Sequence, residues 1–132
     1  MFDVLDKYRK QDHFFLIPQA EMQKVCNAPK EEGGVFVVYA LRGGSVKIIC
    51  IGASVEGESL YQALVEGLHK GKEPRGEAWK ALMDKNGIEG LDVYWYVTQH
   101  GTKTDDPAVI EKKILKLHKE IYGGLPKWNK GK

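Results

Sequence analysis

Segments dense in Val, Ile, Leu and aromatic residues alternate along this chain with short polar breaks, many of them holding glycine. Val35 to Leu41 reads Val-Phe-Val-Val-Tyr-Ala-Leu, a composition that favours a pleated strand. Arg42-Gly43-Gly44-Ser45 predicts a turn, since paired glycines accept positive φ. Val46 to Ile51 predicts the return strand, and the unbroken apolar character of the hairpin predicts burial on both faces. From Leu91 to Thr98, Leu91, Val93, Trp95 and Val97 alternate with Asp92, Tyr94, Tyr96 and Thr98, which predicts a third strand. Helical spacing appears elsewhere. Phe2, Leu5, Asp6 and Arg9 predict a short N-terminal helix, and Glu21 to Cys26 one or two helical turns. Ser59 to His69 carries Leu60, Leu64 and Leu68 on one stripe, and Glu77 to Lys85 turns Ala78, Trp79, Leu82 and Met83 inward before Asn86-Gly87. The last helix has Asp106 as N-cap, Pro107 at its first position and Ile110, Ile114, Leu117 and Ile121 as its core stripe. Gly123-Gly124 stops it. Leu125 to Asn129 is then expected to fold back, because Leu125 and Trp128 are apolar.

The order of helix, hairpin, two helices, strand, helix and tail predicts an α+β domain. It consists of an antiparallel sheet of about three strands with flanking helices. A chain of 132 residues is about one domain, read here as an N-terminal helical extension over 1–32 and a core over 33–129. The longest apolar run, Val35 to Leu41, falls far short of the ~20 residues a bilayer requires, so no membrane association is expected. The N-terminal residues are mixed in charge, and no signal peptide is read there. Cys26 and Cys50 form neither a CxxC nor a zinc pattern, which points to reduced thiols and a cytoplasmic protein. The net charge of +2 conceals an imbalance: Pro107 to Lys132 carries +5 and the rest of the chain −3. A basic C-terminal end suits an anionic partner such as DNA.

Three pieces then stand in order: Gly34-Val35-Phe36, Cys50-Ile51-Gly52 on the paired strand, and Glu111 near the start of the late helix, with Leu125-Pro126-Lys127-Trp128-Asn129 behind it. Together they resemble the GIY-YIG nuclease superfamily over about Gly33 to Asn129. The resemblance implies a hairpin bearing one tyrosine per strand and an arginine on the following helix for the scissile phosphate. It also implies a single glutamate holding Mg2+ or Mn2+, and a C-terminal asparagine. On this chain the tyrosine positions fall on Phe36 and Cys50, with Gly34 and Gly52 keeping the motif glycines. The metal glutamate falls on Glu111 and the asparagine on Asn129. The window for the arginine is Leu60-Tyr61-Gln62-Ala63, which holds no cation.

Both phenols and the arginine are therefore replaced. Phenylalanine accepts no proton, and a buried thiol behaves as a small hydrophobe. Substitutes within the sequence are Arg75 in the basic loop Gly71 to Gly76, His69 as a base, and Tyr61 as a phenol. Tyr39 lies three residues beyond Phe36 and so on the opposite face. Lys70, Lys72, Arg75, Lys112 and Lys127 are the candidate nucleic-acid contacts. The resemblance thus implies an endonuclease-like, nucleic-acid-associated domain whose metal-dependent cleavage the missing groups argue against. The alternative is a catalytically inactive protein-interaction module on the same fold.

Overall fold

The computed structural model describes residues 2–130. After a 3-10 turn at Asp3–Leu5 come strand β1 (Gln11–Leu16), helix α1 (Met22–Val25), and strands β2 (Gly34–Arg42) and β3 (Ser45–Ala53). Helix α2 (Leu60–Val65) and a small hairpin of β4 (Leu68–His69) and β5 (Glu73–Pro74) follow. Next are α3 (Arg75–Asn86), β6 (Gly90–Val97), a second small hairpin of β7 (Gln99–His100) and β8 (Lys103–Thr104), and α4 (Pro107–Tyr122). A 3-10 turn at Lys127–Asn129 ends the described chain.

The main sheet has four antiparallel strands in the order β1-β6-β2-β3. The α+β class holds, with one more strand than the pattern predicts. The extra strand is β1, in the segment read as a helical extension, where Phe14 and Leu16 turn inward and Phe15 outward. It pairs with β6, and His13 stacks on Tyr94 while its Nδ1 lies 2.7 Å from Asp92.

Strand β2 is buried on both faces, as expected. Phe36, Val38 and Ala40 enter one core with Trp79, Met83 and Trp128, while Val35 and Val37 enter a second with Tyr8, Ile110 and Ile114. Strand β3 differs: Ser45, Val46 and Lys47 are exposed and only its second half is buried. Between Val38 and Tyr39 the register shifts, leaving Ile49 unpaired on β3, so that Ile49 and Cys50 both join the Trp79 core.

Two helical boundaries move, and one helix turns a different face inward. Ser59 caps α2 through a complete capping box with Gln62, but α2 stops at Val65. Leu68 therefore lies in the β4–β5 hairpin, 45% exposed, and not on a helical stripe. Helix α3 begins at Arg75, within the segment predicted as a loop, because Pro74 fits the position just before a helix. Helix α4 has the expected Asp106 cap, accepting from the Ala108 N–H at 3.0 Å. Its inward face is Ile110, Ile114 and His118, whereas Ile121 is 53% exposed. The buried His118 is satisfied by donating from Nδ1 to the Gly124 carbonyl at 2.7 Å. In the tail Trp128 is buried as expected, while Leu125 stays 39% exposed.

Candidate functional site

The motif positions on the hairpin come together beside the outer strand β3. Phe36 and Gly52 are cross-strand partners, and the tip of the Phe36 ring lies against Gly52. A Cβ at Gly52 would stand only 2.3 Å from Phe36 Cζ, so the glycine is what lets the phenylalanine settle there. Cys50 is two residues along β3, buried on the same side.

Arg75 completes the cluster. Its guanidinium carbon stands 5.3 Å from the centre of the Phe36 ring, and its Nη1 donates to the Ala63 carbonyl. That carbonyl is among the last of α2, which a short helix leaves without a partner. Arg75 thus serves as a C-terminal cap supplied by another helix. Its path is open because residue 67 is glycine; a Cβ there would collide with Nη1. Burial pulls the Arg75 pKa below its ordinary value, and the fields of Cys50, Glu58 and Glu111 act in the opposite direction. The side chain remains a cation in any case.

Glu111 sits in the second turn of α4, half-buried, with its charge acting on Arg75. Asn129 is buried and grips the free edge of β3: its Oδ1 accepts from the Ile51 N–H at 2.9 Å and its Nδ2 donates to the Ile51 carbonyl at 2.8 Å. The amide therefore takes the place of a neighbouring strand exactly one residue from Cys50 and Gly52. Replacing Asn129 by Ala leaves both buried backbone groups without partners and is expected to cost about 1–3 kcal/mol, read as a lower urea midpoint. An unchanged midpoint would show that this edge is held by other means.

His69 lies behind the cluster, in β4. Its Nδ1 accepts the indole N–H of Trp79 at 3.2 Å, and its ring meets Trp128 edge-on at 6.0 Å. An indole only donates, so Nδ1 must carry the lone pair and a neutral His69 carries its proton on Nε2. Tyr61 is not part of the cluster; its ring lies under the Lys30 ammonium, 4.8 Å away. Tyr39 faces the other core, as strand alternation predicts. Lys70, Lys72, Lys112 and Lys127 are all exposed, and Lys70 Nζ donates to the Lys130 carbonyl at 2.7 Å.

The structure therefore joins Phe36, Cys50, Gly52 and Arg75 on one face of the hairpin, braces β3 there with Asn129, places Glu111 where its charge acts on Arg75, and leaves Tyr61 apart. Sequence reasoning missed Glu58 and Gly67, which carry no motif signal of their own. Among the described residues no group of three or more His, Cys, Asp or Glu side chains converges on one point. Glu111 offers one carboxylate, and a cation from the protein already stands in its field. Such a donor set suits a largely hydrated divalent ion and not a protein-caged one.

No helix among the described residues is long and apolar enough to cross a membrane. No protein-family model, curated protein or solved structure matches the chain at a significant level.

Proposed function

We infer that this is a GIY-YIG-like domain that binds nucleic acid through the Arg75 cluster and does not cleave it. The observation that carries the reading is that Phe36, Cys50 and Gly52 share one face of the hairpin with the Arg75 guanidinium, which reaches them from a separate helix. Arg75 reaches the cluster from α3, one helix later than the resemblance implies. It retains N–H donors beyond the one given to Ala63, and a guanidinium fork suits phosphate oxygens. Exposed Lys70, Lys72, Lys112 and Lys127 add sequence-independent attraction to a phosphate backbone.

Cleavage fails in this reading for want of a proton acceptor. Phe36 has none, and Cys50 is packed in the core. Tyr39 faces away, and Tyr61 lies outside the cluster. His69 spends its Nδ1 lone pair on Trp79. A hydrated Mg2+ or Mn2+ at Glu111 would add positive charge to a bound phosphate. Around it, this chain's own residues would bind and orient without moving a proton.

The test pairs a nuclease assay with a binding titration. With Mg2+ or Mn2+ on plasmid, single-stranded DNA and RNA, the protein and Glu111→Ala are expected to show equal, background-level cleavage. Cleavage that Glu111→Ala abolishes overturns the non-cleaving half of the reading. Binding to DNA at low salt should weaken steeply as salt rises, because each phosphate contact releases counterions. An absence of binding at low salt overturns the nucleic-acid half. It would favour the second reading, a protein-interaction module, whose supporting observation is that Phe36, Trp79 and Trp128 fill the space beside the hairpin with packed rings.

A further inference from the structure

A separate cavity opens on the same face of the hairpin, away from Arg75. Its volume is about 390 Å3, towards the lower end of the ~300–1,000 Å3 typical of ligand sites. Ala40, Ile49, Ile88 and Trp128 give it apolar walls. Three cations, Arg42, Lys47 and Lys127, stand around it, all exposed and none with a carboxylate partner among the described residues. The nearby carboxylate of Glu89 is engaged, accepting the Gly43 N–H at 2.7 Å. Asn86 donates its Nδ2 to the Leu82 carbonyl at 2.8 Å, which leaves Oδ1 as an acceptor at the cavity wall.

We propose that this cavity holds one nucleotide of a single-stranded nucleic acid, its base between the apolar walls and its phosphates on Arg42, Lys47 and Lys127. The inference rests on the nucleic-acid reading above and names its substrate class. A small inorganic anion would explain the cations but not the apolar walls. A neutral apolar ligand would leave three like charges crowded without a counterion. A flat base bearing phosphates satisfies both, and Asn86 Oδ1 can accept from an exocyclic amine or ring N–H. The strand must be single, because a base within a duplex is stacked and paired and cannot enter a recess without being flipped out. The geometry also links the two places. Lys127 and Trp128 line the cavity, and the next residue, Asn129, holds β3 beside Cys50 and Gly52. A strand seated here is led along β3 towards Arg75.

The experiment uses the full chain at one low salt concentration with three labelled probes: an oligothymidylate, an abasic strand of equal length and charge, and a duplex. The protein is compared with the double variant Arg42→Ala/Lys47→Ala, both exposed positions, and with Lys24→Ala/Lys103→Ala, which removes the same charge elsewhere. The expected result is a loss of about tenfold or more in oligothymidylate affinity for Arg42→Ala/Lys47→Ala alone. Duplex affinity should change far less, and the abasic strand should bind the unmodified protein at least about fivefold more weakly than the oligothymidylate. Equal losses in the two double variants, or equal affinity for the abasic and base-bearing strands, overturn the cavity proposal while leaving the Arg75 reading in place. No binding of any probe by the unmodified protein overturns both.

Discussion

Trp79→Ala is expected to destabilise the protein by about 3–5 kcal/mol, the largest loss of any single side-chain truncation considered for this core. Trp79 is fully buried on α3. Its ring meets Phe36 edge-on at 6.3 Å and lies tilted against Trp128 at 5.9 Å. Removing it opens a void among rings that no neighbouring chain is free to fill, since Phe36 is pinned over Gly52 and Trp128 is fixed by the turn that carries Asn129. It also strips His69 Nδ1 of its donor. Trp79→Phe separates these terms in part, because it keeps most of the apolar volume while losing the N–H and part of the fused ring; a smaller loss of about 1–3 kcal/mol is expected there. The measurement is a pair of urea unfolding curves with the melting temperature alongside, where the Ala variant should fall by roughly 10–20 °C. A loss under about 1 kcal/mol for Trp79→Ala would mean that α3 is not packed on the hairpin as described.

The same packing shows what the sequence could and could not reveal. The β2–β3 hairpin, β6 and the cap of α4 were legible because each signal is local: a run of β-branched residues, a strict alternation, an Asp-Pro pair. Strand β1 was hidden. Its inward residues are only Phe14 and Leu16, and the outward Phe15 between them erases the alternation. What makes it a strand is β6, nearly eighty residues away, whose hydrogen bonds it completes.

Helix α2 was overrun for the converse reason. Leu68 continues the spacing of Leu60 and Leu64, but the chain turns at Gly67, where there is room for Arg75 and not for a Cβ. In α4 the stripe was drawn through Ile121, and the helix instead buries His118, whose polarity Gly124 satisfies. The pairing of the Gly34-Val35-Phe36 strand with the Cys50-Ile51-Gly52 strand was legible as a hairpin. The role of Arg75 was not, because it depends on a contact between the start of one helix and the end of another.

Arg75→Met is expected to weaken DNA binding by about 10–100-fold while leaving the fold close to its original stability. A half-buried guanidinium bears a desolvation cost that its partners only partly offset, and an apolar chain of similar length can keep the packing on Phe36. The structural loss is the cap on Ala63, about 1 kcal/mol. On the proposed reading, the functional loss is a cation in the fields of Cys50, Glu58 and Glu111. If Arg75 binds a phosphate as proposed, its loss leaves Glu58 and Glu111 to repel that phosphate, and the slope of log affinity against log salt should fall by about one contact. Arg75→Lys should not restore binding, because an ammonium neither stacks on the Phe36 ring in the same way nor presents a planar fork. Titrations across a salt series, paired with unfolding curves for each variant, separate the two effects. If Arg75→Met unfolds the domain, Arg75 is a structural cap first; if it folds and binds as before, the exposed lysines alone account for attraction to DNA, and the cluster beside β3 is not where a phosphate sits.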